Sequence, residues 1–134
     1  MASNLKYSNG TRDAQQQGLI TYAGSGAKIC IYQGTQPVNA NTAISTQTLL
    51  VECDLAGTFG TDSNGTLTLG TVNSGSAVAT GTAQFFRIFK SDGTTVIMDG
   101  SVGTSGADLN LNTTAINITQ TVNITGGTII RNNQ

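Results

Sequence analysis

The sequence predicts a mainly β protein: an antiparallel β-sandwich or jelly-roll-like barrel with one short N-terminal helix. Three observations carry this. Apolar residues gather in short runs of strand length, several with strict apolar/polar alternation. Gly, Asn, Asp and Ser clusters separate those runs, as turns require. Only one stretch, residues 8–24, carries helix start and stop signals. Residues 1–26 read as an N-terminal arm and short helix, and 27–134 as the β-sandwich domain, one structural domain overall.

The helix begins at Ser8 or Asn9, either of which can accept a first-turn N–H, and ends before Gly24. Ala14, Gly18 and Tyr22 recur at four-residue spacing and can face a partner surface. Gly10 and Gly18 each weaken the helix by roughly 1 kcal/mol relative to Ala, so it needs packing to persist.

Strands follow. Lys28–Gln33 alternates around Ile29 and Ile31 as a half-buried strand does. A loop with Pro37 spans 34–46, and Thr48–Asp54 is the second strand. Residues 57–65 read as turns, with Asn64-Gly65 a tight-turn pair. Thr66–Leu69 is the third strand. Residues 83–90 and 94–99 flank Ser91-Asp92-Gly93 and form a β-hairpin. Phe85, Arg87 and Phe89 share one face of its first strand; Phe86, Ile88 and Lys90 share the other. Aromatics on both faces predict a central strand. Asp108–Asn112 alternates, as do Ile116, Asn117 and Ile118. Thr121–Arg131 is a last strand, bent or bulged at Gly126-Gly127.

Composition narrows the function classes. Of 134 residues, 10% are charged, against roughly 25% in average soluble proteins. Gly, Thr, Asn and Ser together supply close to half the chain, and His is absent. Acid/base catalysis through His and His-ligated metal sites are thereby excluded. A net charge of -1 with six Lys+Arg gives no electrostatic basis for nucleic-acid or anionic-membrane binding. No apolar run is long enough to span a bilayer as a helix. The first ten residues lack the apolar core of a signal peptide, so classical secretion is not expected.

No motif carries chemistry. The Gly-rich stretches lack the Gly-Lys-Ser/Thr that pairs a phosphate cradle with a lysine. Asp54, Asp62, Asp92, Asp99 and Asp108 are too dispersed for a calcium loop. The five Asn-X-Ser/Thr tripeptides, at Asn9, Asn64, Asn112, Asn117 and Asn123, follow from composition. Cys30 and Cys53 lie in strand-like runs and read as small buried hydrophobes; a disulfide would need an oxidising compartment. The expectation is a non-enzyme with no catalytic residue, cofactor or metal. The first thirteen residues concentrate Lys6, Arg12 and Asp13 beside Leu5 and Tyr7. The plain reading is a solvated terminus; the sharper one makes those five the candidate partner interface, a polar arm that orders on a neighbour.

Several blocks together resemble a family of small virion structural proteins of tailed bacteriophages and prophages. They are Leu5–Asn9 with Arg12-Asp13-Ala14, Ile31–Pro37, Gly81–Ile88 with Ser91–Thr95, and Asp108–Asn112. The resemblance runs nearly end to end and is moderately specific in combination. Gln15-Gln16-Gln17-Gly18 departs from the apolar stretch that family members often have there. The resemblance implies a capsid decoration (cement) protein that binds the outer surface of the assembled head. Its partners would be the major capsid protein and further copies of itself, as a trimer at a symmetry axis. Its location would be the virion surface, after assembly in the host cytoplasm. The alternatives are a tail-fibre or tail-tip β domain binding a host-surface receptor, and a neck or tail component. The absence of an elongated shaft pattern favours the head.

Overall fold

In a computed structural model, which describes residues 4–130, the helix α1 spans Asn9–Ala23. Ser8 caps it: its hydroxyl accepts from Thr11 N at 3.2 Å. Gly24, at φ 70°, closes it by donating its N–H to Ile20 O. Helical periodicity separates two faces. Gln16 and Ala23 are buried, with Leu19 and Ile20 partly buried against the core. Ala14, Gly18 and Tyr22 all lie on the exposed side.

Twelve strands follow among the described residues: β1 (Lys28–Gln33), β2 (Thr48–Asp54), β3 (Gly60–Ser63), β4 (Thr66–Leu69), β5 (Gly75–Ser76), β6 (Gly81–Thr82), β7 (Phe85–Phe89), β8 (Val96–Gly103), β9 (Leu109–Leu111), β10 (Ala115–Ile116), β11 (Thr121–Val122) and β12 (Ile124–Ile130). Eight form one sheet in the order β2-β1-β7-β8-β9-β12-β4-β3. Every pair in it is antiparallel except β8–β9.

This sheet curls back on itself. After β4 the chain crosses to the free edge of β2 and runs antiparallel along it. Leu55 bridges Val72, Asn73 N donates to Asp54 O, and Val78 N donates to Leu50 O at 2.7 Å. The approach is tight at Gly75, where a Cβ would stand 2.1 Å from Glu52 O; only glycine fits. The two ends of the strand order are thus joined, and one core fills the inside. It draws Ile29 and Ile31 from β1, Val51 and Cys53 from β2, and Leu67 from β4. Phe86, Ile88, Leu109 and Leu111 complete it from β7 and β9. The protein is mainly β, a sandwich- or barrel-like antiparallel fold with one helix among the described residues.

A bulge at Leu50, where the β1–β2 register shifts, accompanies full burial of both Leu50 and Val51. β7 lies between β1 and β8 and is buried on both faces, with Phe89 alone partly exposed. That is the central strand expected from its aromatics.

Four expectations change. β1 is buried on both faces rather than half-buried: Cys30 and Tyr32 form a second cluster with Phe85, against which Ile44 of the 34–47 loop packs. Gly60–Ser63, expected as turn, is a strand because it pairs with β4 through the Asn64-Gly65 turn. Both turn residues have positive φ (51° and 82°), as a primed hairpin turn demands. The run Ile116–Ile118 is not continuous strand: β10 stops at Ile116, and Asn117–Gln120 is a turn. The last strand is split into β11 and β12, with the bulge between Ile124 and Gly126; Arg131 lies outside the described residues.

Cys30 and Cys53 are both buried and unpaired. Cys30 sits in the outer cluster and Cys53 in the core, on opposite faces of adjacent strands.

Candidate interaction surface

Leu5, Lys6 and Tyr7 precede the helix and are exposed, Leu5 at 63%. Arg12 and Asp13, one turn into α1, are partly buried and turned inward. The five residues therefore divide into a displayed group and an anchoring group.

The anchor is a set of contacts to one turn. Asp13 Oδ1 accepts from Gly65 N at 2.7 Å, and Gln16 Nε2 donates to Gly65 O at 2.7 Å. Both main-chain polar groups of Gly65 are thus satisfied by the helix. Gln17 Nε2 donates to Asp62 Oδ1 at 2.8 Å. The Arg12 guanidinium lies over Gly65, with its Nε 2.5 Å from where a Cβ would stand. Gly65 is therefore constrained twice, by its positive φ and by this contact. Gln16 and Gln17 are themselves the fastening. Their role has no motif, because an amide whose partner lies far along the chain leaves no spacing signature.

At the far end of α1, Tyr22 is 52% exposed, and Lys90 Nζ stands 3.7 Å from its ring centroid. This cation–π contact ties the helix end to the β7–β8 hairpin. The outer face of α1 thus runs from the Leu5–Tyr7 arm past Ala14 and Gly18 to Tyr22.

Each of the five dispersed aspartates is occupied locally. Asp54 pairs with Lys28, which also meets Glu52. These contacts hold the Lys28 ammonium above its ordinary pKa, chiefly through Glu52. Asp62 holds Gln17, and Asp108 accepts from Ser101 N and Oγ. Asp99 pairs with Arg87. Asp92 accepts from Thr94 N, Thr95 N and the Thr95 hydroxyl, which lowers its carboxyl to about 2. Among the described residues no three His, Cys, Asp or Glu side chains are placed to hold a metal ion, and no helix is long and apolar enough to cross a membrane.

No protein-family model, curated protein or solved structure matches this chain. Thiol chemistry is unfavourable: burial, aided by Glu52, pushes Cys30 up to about 12, and burial pushes Cys53 up to about 11. The features that remain are surfaces: the arm with the outer helix face, and the uncharged wall formed by the C-terminal strands.

Proposed function

We propose that this protein is a bacteriophage capsid decoration protein that binds the outer surface of the assembled head and stabilises it. The observation that carries the reading is the set of sequence blocks from Leu5 to Asn112 that resemble the phage virion family. The surface supports it. A weakly charged β domain makes contacts by shape and main-chain hydrogen bonding, which salt screens little. The arm is displayed from a helix fastened at Gly65, so docking Leu5 and Tyr7 would transmit force to the whole domain.

The proposed action is clamping. A protein that binds the assembled head and not its free subunits stabilises the assembled state by mass action. Repetition over a lattice multiplies modest contacts. The partners are the major capsid protein and further copies of this chain, at the virion surface, after assembly in the host cytoplasm. Reduced thiols suit that compartment.

The test adds purified protein to heads that lack it. Binding at hundreds of copies per head, with raised thermal or osmotic resistance, is expected. Absence of both overturns the reading. Leu5→Ser with Tyr7→Ser is expected to weaken binding while leaving the fold intact; unchanged binding removes the arm from the interface.

A further inference from the structure

No charged residue occurs between Asp62 and Arg87, nor between Asp108 and Arg131. The fold packs these two stretches against each other. Residues 66–83 and 114–130 run antiparallel, with pairs Thr66↔Ile130, Thr68↔Thr128, Gly75↔Val122, Ser76↔Thr121, Gly81↔Ile116 and Thr82↔Ala115. Ala77 N donates to Gln120 O and Ala83 N to Thr114 O, filling in the course. The result is one uncharged wall.

Two interruptions give the wall relief. From Thr68 to Gly75 the first arm uses seven residues, while from Thr128 to Val122 its partner uses six. The longer arm is diverted: Gly70 N bonds Phe59 O, and Val72 bridges Leu55. β12 leans to β9 at Ile124–Gly127. The ladder opens there into a cleft of about 260 Å³, lined by Leu69, Val72, Ile124, Thr125 and Gly126. A Cβ on Gly126 would meet nothing within 4 Å.

The second interruption is a protrusion. Asn117–Gln120 is a turn closed by Gln120 N to Asn117 O. It presents Ile118 at 56% exposure, and Val78 stands at 60% on the facing arm. Thr119 holds φ 73°, the left-handed position that a type II turn gives to Gly or Asn. Hydrogen bonds from Ile118 N to Thr80 Oγ1 and from Thr119 N to Ala77 O fix the turn. A branched apolar side chain is thus held outward on a strained turn.

We propose that the Ile118 turn of one copy seats in the β4–β12 cleft of a neighbouring copy. Size agrees: an apolar cavity of about 150 Å³ accepts a benzene ring, so the cleft has room for an isoleucine side chain. Charge agrees as well. Interface centres are depleted of charge, and this wall brings none to be buried when copies meet. Knob and cleft lie on the same wall, so each copy offers both halves of the contact. The contact is between chains by geometry. Within one chain Ile118 stands clear of the cleft: it is exposed, it is not among the lining residues, and its turn is pinned to Thr80 and Ala77.

The proposal takes from the reading above only that copies associate, and its test is independent of heads. Ile118→Cys and Thr125→Cys are introduced together and the protein is oxidised mildly. Covalent oligomers on a non-reducing gel are expected, with little from either single variant. Cys30 and Cys53 are buried in the folded chain and stay out of the reaction. Ile118→Asp, at an exposed site, should weaken self-association at least tenfold by analytical ultracentrifugation, with an unchanged circular dichroism spectrum. A wild-type chain that stays monomeric at its highest soluble concentration overturns the proposal. So does an oligomer that neither cross-links nor responds to Ile118→Asp. Ile118→Asp that abolishes head binding in a monomeric chain assigns the wall to the capsid and also overturns it. Loss of head binding with self-association intact counts against the decoration reading alone.

Discussion

Arg87 on β7 and Asp99 on β8 stand directly opposite each other and are joined by two bonds, Nε to Oδ1 at 2.6 Å and Nη2 to Oδ2 at 2.8 Å. Their side chains are 2% and 4% exposed. Arg87 also donates to Asn39 O in the 34–47 loop. Asp99 raises the Arg87 pKa further, chiefly through the hydrogen bond.

Breaking this pair on one side is expected to cost about 3–5 kcal/mol, because the other charge is left buried. Arg87→Met and Asp99→Leu should each lower the denaturant midpoint strongly. The double variant should recover much of the loss. A double variant no more stable than the singles would mean the pair is replaceable by neither packing nor neutrality.

Gln16 is the buried polar residue of the helix. Gln16→Ala strips Gly65 O of its donor and is expected to cost about 1–3 kcal/mol. Gln16→Glu, which cannot donate when ionised, should behave no better. Equilibrium unfolding of the two variants checks this, and hydrogen exchange should show α1 losing protection before the sheet.

Asp92 gives an acid transition. Its folded pKa, about 2, lies below the ordinary 3.8, so the turn it holds is fully stabilised above pH 4 and weakens as pH falls towards 2. The Thr94 and Thr95 amide resonances should titrate with a midpoint near that value. In Asp92→Ala the acid titration of these resonances should vanish.

Cys30 and Cys53 should resist a thiol reagent at pH 8, since burial disfavours both thiolates. Both should react at once in denaturant. Rapid reaction of either in the folded protein would show that its cover opens.

Thr119→Gly should relieve a left-handed strain of about 1–2 kcal/mol and return part of it as unfolded-state entropy. The net expectation is a small gain in thermal midpoint. A loss would mean that the Thr119 side chain contributes more than its backbone costs.

The strands with paired apolar alternation were legible: β1, β2, β4 and the β7–β8 hairpin lie where the Ile, Leu and Phe patterns put them. Asn64-Gly65 announced its turn. Gly60–Ser63 was hidden because its strand character comes from pairing with β4, not from its own residues. Ile118 misled, since a displayed isoleucine alternating with Asn117 has the same pattern as a buried one. Burial of Cys30 and Tyr32 depends on a loop with no periodicity. In the candidate surface, Leu5, Lys6 and Tyr7 stood out by composition. Gln16 and Gln17 did not, because their partners are 49 and 45 residues away.

The long pairing of residues 66–83 with 114–130 has a consequence for how the chain acquires its structure. Its contacts close large loops, whose entropy must be lost before the pairing stabilises anything. The β7–β8 hairpin is local and can form early, but the wall waits for the last strand to emerge from the ribosome. Until then β4 lacks its partner on the β12 side, and the unfinished chain is exposed to aggregation. Folding should therefore be slow and end with one late closure, detectable as simultaneous protection of β4, β5 and β12 in pulse-labelled exchange.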